Sequence, residues 1–199
     1  MLAAIRAQCD LKDGAPLGLF CGSLYPDKKL DLLVDAADII HARHPDFRLV
    51  VIGDGSSAGV VSQAAESRPW LKWVGVKRGD EKAAYFQLAQ FVLNPGAVGL
   101  HVLDAFALGI PMLSTTDAKH GPEIAYLQHG INGLLTESSA HAFAEATCSL
   151  IEDPELYLRI SGSAREAGCT YTVSHMAENF VSGIERCIAS RPTHARSPT

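Results

Sequence analysis

The sequence lacks most of the short signatures that announce a chemistry. No Gly-x-x-x-x-Gly-Lys-Ser/Thr is present, which argues against a P-loop, and no Gly-x-Gly-x-x-Gly follows the first apolar run, which argues against a dinucleotide site. No Asp-x-Asp pair is available to hold a metal-bound diphosphate. The five cysteines (Cys9, Cys21, Cys148, Cys169, Cys187) are odd in number, scattered and without Cys-x-x-Cys spacing, so neither a disulfide framework nor a zinc site is expected. No apolar run approaches the roughly 20 residues that span a bilayer, and Met1–Asp10 is too short and polar for a signal peptide. A formal charge of −5 gives no broad footprint for nucleic acid. The chain therefore reads as soluble and cytoplasmic, with reduced thiols and no nucleic-acid partner.

What is present is organised around Phe91 to Thr116. A short apolar run (Phe91–Leu93) breaks at Asn94-Pro95-Gly96. A helical pattern follows, with Leu100, Leu103, Ala107 and Leu108 on one face, stopped by Gly109 and Pro111, and a β-like run Met112–Thr116 closes the unit. Strand, glycine turn, helix and strand in that order make a βαβ crossover, whose strands run parallel. The turn between strand and helix is where such sheets bind ligands, because free helix N-terminal amides attract anions.

The same alternation runs through the whole chain. Residues 1–16 read as a linker with a weak helical piece. Leu17–Leu24 is a first buried strand, and an amphipathic helix follows with Leu30, Leu33, Val34, Ala37, Ile40 and His44 on one stripe. Phe47–Ile52 and Leu71–Val74 are further strands, with helices around 60–66 and 81–89. Gly133–Thr136 is a last strand, and 139–151 and 154–167 are helical. The terminal helix of segment 171–190, roughly His175–Ala189, is expected to bury Met176, Phe180, Ile184 and Ile188, and 191–199 has the composition of a disordered tail. The pattern predicts an α/β fold, a doubly wound, Rossmann-like parallel sheet of about six strands, spanning residues 17–170.

Four loops at strand C-terminal ends converge on one crevice: 23–29, 53–57, 75–79 and 95–99. Lys28 offers a point charge to a phosphate, the amides of Gly96 to Leu100 offer directed donors, and Asp104 offers a carboxylate to a ribose hydroxyl pair. Together they suggest a phosphorylated, sugar-bearing ligand. Each piece also has an ordinary reading: Gly53-Asp54-Gly55 as a strand-ending turn, Lys28-Lys29 as a solvated helix start, and Asp104 as helix-start electrostatics. His101, His129, Trp70, Trp73 and Tyr85 read as packing or surface residues.

Four segments in order resemble the C-terminal, donor-binding half of GT-B glycosyltransferases of the family 4, or group 1, type. Gly22-Ser23-Leu24 with Lys28-Lys29 is similar to that family's Gly-Arg-Leu…Lys-Gly. Val51-Ile52-Gly53-Asp54-Gly55 is similar to its second-strand Gly-Asp-Gly. Pro95 to Pro111 is similar to its Pro-Ser…Glu-Gly-Phe-Gly…Leu-Glu-Ala…Gly-x-Pro. Glu123-Ile124 with Asn132-Gly133-Leu134-Leu135 is similar to its closing segment. The resemblance implies a retaining, metal-independent hexosyl transfer in polysaccharide or glycoconjugate biosynthesis, with a UDP- or GDP-sugar as donor and no cofactor. Lys28 would stabilise the departing diphosphate. Gly22, Ser23, Gly53, Gly55, Gly96, Ala97, Val98, Gly99 and Leu100 would line the donor, backbone at Val76 and Lys77 would meet the base, and Asp104 would hold the ribose. By the resemblance, Ser23 stands where the family has Arg and Asp104 where it has the second Glu of its pair, while the first Glu would fall at Gly96, counting back from Asp104, or is lost in a shortened loop. The resemblance further implies an N-terminal acceptor domain that this chain lacks, so that the isolated domain is inactive, and peripheral membrane association through the parent protein. A degenerate, non-catalytic partner domain and half of another nucleotide-sugar enzyme such as an epimerase are the alternatives.

Overall fold

A computed structural model describes residues 1–190; the tail read at 191–199 lies outside the described residues. The elements are α1 (Leu2–Gln8), β1 (Leu17–Cys21), α2 (Leu30–Arg43), β2 (Arg48–Ile52), α3 (Ala58–Ser67), β3 (Leu71–Trp73), α4 (Gly79–Leu88), β4 (Phe91–Leu93), α5 (His101–Ala107), β5 (Met112–Thr115), β6 (Gly133–Thr136), α6 (Ala140–Glu152), α7 (Pro154–Thr170) and α8 (Val173–Ala189). The six strands form one sheet in the order β3-β2-β1-β4-β5-β6, with every pairing parallel.

The strands read as continuous apolar runs because helices cover both faces, and alternate residues feed two cores. From β1 and β2, Phe20, Leu49 and Val51 join Leu33, Ile40, Trp70 and Phe143 on one face. Leu17, Leu19, Cys21, Val50 and Ile52 join Tyr85, Phe86, Val102 and Phe106 on the other. The α2 stripe is buried as its spacing predicts from Leu30 to Ile40. Trp70, Trp73 and Tyr85 are packing residues: Trp70 stacks on His41, Trp73 Nε1 donates to Gly53 O at 2.9 Å, and Tyr85 is fully enclosed.

The stretch read as a linker carries α1, and Ile5, Cys9 and Leu11 are buried in the second core. Two face assignments need correcting. In α5 the buried residues are His101, Val102, Ala105 and Phe106, while Leu100 is 66 % and Leu108 37 % exposed. Val102, Ala105 and Phe106 enter the second core, Leu103 packs partly buried against it, and the backbone of α5 comes so close to α7 that a Cβ at Gly168 would overlap Phe106 O. In α8 the apolar stripe is exposed rather than buried, with Phe180 at 70 % and Met176 at 64 %, because no described element packs on it.

The sheet order reverses between β1 and β4, so the loops after those two strands face each other across the switch point, where ligands of such folds bind.

Candidate functional site

After β1 the chain forms a 3-10 turn, Pro26–Lys28, ended by Lys29 in the left-handed region at φ 52°. This turn is interlocked with the loop after β4. Ala97 N–H donates to Asp27 O at 2.8 Å, and a Cβ at Gly96 would overlap Asp27 O and Lys28 Cα, so only glycine fits there. Lys28 is drawn beneath that loop, 4 % exposed, and its Nζ donates to Ala97 O. Burial holds the Lys28 pKa below its ordinary value, with the Glu123 carboxylate the main opposing influence. Lys29 faces away, toward Asp117 Oδ1 (3.0 Å), Ser138 Oγ (2.6 Å) and Thr115 Oγ1 (3.3 Å).

Buried polar groups fix the loop from below. Asn94 Nδ2 donates to Gly96 O and Ala97 O at 3.1 Å each, Ser114 Oγ to Gly96 O at 3.3 Å, and Thr115 Oγ1 to Pro95 O at 2.6 Å. His120 closes it from the side. Its Nδ1 accepts from Val98 N–H at 3.3 Å and its Nε2 lies 2.7 Å from Thr115 O, which assigns the proton to Nε2. Two of the amides assigned to an anion are thus already engaged, at Ala97 and Val98; those of Gly99 and Leu100 make no hydrogen bond among the described residues.

Gly22 and Gly99 meet Lys28 directly: a Cβ at either would come within about 4 Å of its Nζ, and one at Gly99 within 3.5 Å of His101 Nδ1. His101 is buried with Nε2 unpartnered, and burial first, then Lys28 and Lys82, push its pKa down to about 3, so it is uncharged at neutral pH. Burial pushes the Cys21 thiol up to about 11. Asp104, in the first turn of α5, is half-exposed and bound by Lys82 Nζ at 2.9 Å from the first turn of α4.

The other assigned residues sit around this centre. Gly53 and Gly55 lie against Gly22 O and Leu24 O, with φ of 138° and 155°, so their lack of side chains lets the loop after β2 brace the loop after β1. Ser23 is exposed. Val76 is 56 % exposed and Lys77 pairs with Glu81 at 2.6 Å, on the loop after β3, two strands away from β1. Sequence reading missed Lys82, His120 and the interlock at Gly96; a histidine between a strand end and Gly121-Pro122 was the one signal available for the second.

The sequence reading took Gly-x-Ser-x-Gly to be missing, and this needs correcting: Gly55-Ser56-Ser57-Ala58-Gly59 has that spacing. Ser57 is not a nucleophile elbow: its backbone is unstrained at φ −104°, ψ 14°, and its N–H donates to Leu24 O at 2.8 Å as the helix begins. Among the described residues, His44, Cys148 and Glu152 are the one group with metal-ligand proximity. They lie at the C-terminal ends of α2 and α6, at the sheet edge away from Lys28, and Glu152 Oε1 is already held by Arg43 Nε at 2.6 Å. A cavity of about 330 Å³ opens between α5 and α8, lined by Leu103, Tyr126, Tyr171 and Met176. No described helix is long and apolar enough to cross a membrane.

Residues 15–153 match the family model described as "Glycosyl transferases group 1", and the chain belongs to that family. It is 28 % identical to a D-inositol 3-phosphate glycosyltransferase of Thermobispora bispora over 98 % of this chain and 50 % of that protein. It is 26 % identical to an uncharacterized glycosyltransferase of Methanocaldococcus jannaschii over 75 % of this chain and 42 % of the relative. The chain thus spans about half the length of these relatives. Among solved structures, Anabaena Alr3699/HepE in complex with UDP superposes with a TM-score of 0.77 at 18 % identity, covering 93 % of this chain and 52 % of that one. The C-terminal domain of the group 1 protein LpcC from Francisella tularensis superposes with a TM-score of 0.66 at 21 % identity, covering 82 % and 91 %. The fold is that of the C-terminal half of a GT-B glycosyltransferase.

Proposed function

We propose that this chain is the donor-binding half of a retaining, metal-independent glycosyltransferase that takes a UDP- or GDP-sugar. The observation that carries the reading is Lys28: a lysine buried at the switch point of the sheet, bonded to a loop carbonyl, beside the start of α5. Burying an ammonium is costly unless an anion repays it, and a donor diphosphate is such an anion. In this reading Lys28 exchanges Ala97 O for a phosphate oxygen and stabilises the charge that develops on the departing nucleoside diphosphate. The free amides of Gly99 and Leu100 meet the distal phosphate or the sugar. Asp104 accepts from the ribose, and backbone at Val76 and Lys77 faces the base. That Anabaena HepE is described with UDP and with UDP-glucose supports this class of donor. The acceptor site belongs to an N-terminal half, so the chain alone does not transfer efficiently. A cytoplasmic setting, with membrane association through the parent protein, goes with the same reading.

One observation favours a second reading, a non-catalytic partner domain: no side chain fits at Gly96, so the carboxylate that the family carries there has no equivalent at that position. Membership of the glycosyltransferase family sets the epimerase alternative aside. A thermal-shift panel with millimolar UDP, GDP, ADP and their sugar conjugates separates the remaining two. A ligand at about 100 times its Kd adds roughly 2.7 kcal/mol of stability. A shift with one base supports the donor site; no shift in either this chain or its full-length parent supports the partner domain.

A further inference from the structure

We infer that Lys82 is the second cation of the diphosphate subsite, reaching it from the first turn of α4 beside the carboxylate of Asp104. The inference rests on the donor-site reading above and adds to it a residue that the sequence reading did not assign. It begins with charge. A nucleoside diphosphate sugar carries about two negative charges, and a third develops as the diphosphate leaves. Lys28 brings one positive charge, and the Glu123 carboxylate is the main influence opposing the effect of its burial. Ser23, on the loop between Gly22 and Lys28, is exposed and uncharged, and His101 is held neutral by its burial. The site as built from the β1 and β4 loops is therefore short of cations.

Lys82 is the cation that geometry brings there. α4 follows β3 and α5 follows β4, so the first turns of both helices stand at the C-terminal edge of the sheet, where Lys28 also lies. Lys82 Nζ is 2.9 Å from Asp104 Oδ2 and its side chain is about one-third exposed, half sunk between the two helices with its ammonium 5.9 Å from the Phe86 ring. Lys82, like Lys28, is near enough to Cys21 and His101, at the end of β1 and the start of α5, to lower the pKa of each. Among the other cations of the surrounding loops, Lys29 is tied to Asp117 and Lys77 to Glu81, while Arg78 and Lys119 are exposed rather than sunk between the helices.

The pairing with Asp104 fits the connectivity of a nucleotide. The ribose hydroxyls and the α-phosphate belong to one nucleoside unit, so a carboxylate for the first and an ammonium for the second must be neighbours. Lys82 occupies one carboxylate oxygen of Asp104, leaving Oδ1 to accept from the ribose. The flexible stem of lysine lets its three donors serve the carboxylate and a phosphate oxygen at once. In the empty site Asp104 keeps Lys82 poised at the edge.

The test is calorimetric titration of the full chain with UDP, uridine, GDP and guanosine, for wild type, Lys82→Met, Lys82→Arg and Arg78→Ala. Lys82→Met keeps the stem and removes the charge. It is expected to weaken whichever diphosphate binds by about tenfold or more while leaving the matching nucleoside unchanged, and Lys82→Arg is expected to retain most of the affinity. A purely structural role in joining α4 to α5 would weaken nucleoside and diphosphate alike, and that outcome overturns the assignment. Equal diphosphate affinity in wild type and Lys82→Met overturns it too, while leaving the donor-site reading intact. Absence of any nucleotide binding in wild type removes both together.

Discussion

Lys28 and Ala97 are 69 residues apart in the chain, yet the buried ammonium of the first is bonded to the backbone carbonyl of the second. The two loops at the switch point are thereby closed on each other, and an anion reaching Lys28 would share its ammonium with that carbonyl or take the carbonyl's place. Two consequences of opposite sign follow for one substitution. Lys28→Met removes a buried charge and leaves a stem of similar volume, so the ligand-free chain is expected to be as stable as wild type or more so. The same change should weaken nucleoside diphosphate binding by about 1.5–3 kcal/mol, the scale of a charge-assisted hydrogen bond. Differential scanning fluorimetry with and without millimolar UDP and GDP reads both. A Lys28→Met chain that retains the full ligand shift removes Lys28 from the site.

Gly96→Ala tests the interlock. The added methyl overlaps Asp27 O and Lys28 Cα, both backbone-bound and unable to give way as a side-chain tip would. A loss of about 1–3 kcal/mol in urea unfolding is expected, the usual cost of overpacking. Gly96→Glu, which writes the family's carboxylate back into the sequence, should cost at least as much and restore no binding. A stable, tighter-binding Gly96→Glu chain would mean that the loop opens far more readily than its hydrogen bonds suggest.

The fold was legible in the sequence for a physical reason: strands covered on both faces are uninterrupted apolar runs, and the glycine-proline stops mark where the chain reverses. Which way α5 turns was not legible. Leu100, Leu103 and Leu108 form the more apolar stripe, yet Val102, Ala105 and Phe106 are the residues that enter the second core, a choice made by tertiary packing rather than by the helix's own pattern. Lys28 was found because it lies in the loop that leaves the first strand, where such sheets bind ligands. Lys82 was not, because its relation to Asp104 exists only once two helices 22 residues apart in sequence stand side by side.

His120 ties the end of β5 to the β4 loop through a neutral ring that accepts from Val98 and donates to Thr115. His120→Ala leaves both backbone groups without that partner, and a loss of about 1–3 kcal/mol is expected. Amide exchange measured by NMR should rise at Val98 more than at Leu93 in the adjacent strand. Unchanged protection at Val98 would mean that the loop holds its shape without the histidine.

The pH dependence of stability should carry the signature of His101. Its folded pKa, about 3, lies below the ordinary 6.5, so between those values the unfolded chain binds a proton that the native one does not. Stability then rises with pH across that window and levels above it, and each pH unit below 6.5 costs about 1.4 kcal/mol from this group. Lys28, also depressed by burial, contributes the same sign at alkaline pH, below its ordinary value of 10.5. Urea midpoints at about pH 5 and about pH 7.5 should therefore differ clearly in wild type and by much less in His101→Leu, which fills the space without a titrating group. An equal difference in the two chains would assign the acid sensitivity to other residues.

The outward stripe of α8 gives a contrast that separates a core from a waiting surface. Phe143 is fully buried between the sheet and α2, and Phe143→Ala is expected to cost about 3–5 kcal/mol. Phe180 is the same residue type at 70 % exposure, and Phe180→Ser should change the stability of the chain by no more than about 0.5 kcal/mol. In a longer protein carrying an N-terminal half, as proposed above, the prediction reverses if that half covers the stripe, because the same phenylalanine then becomes part of a buried interface between halves. Chemical denaturation of Phe180→Ser in both contexts decides it. A small effect in the chain and a large one in the parent would make α8 the joint between the two halves, and a small effect in both would leave its apolar face exposed in the whole protein.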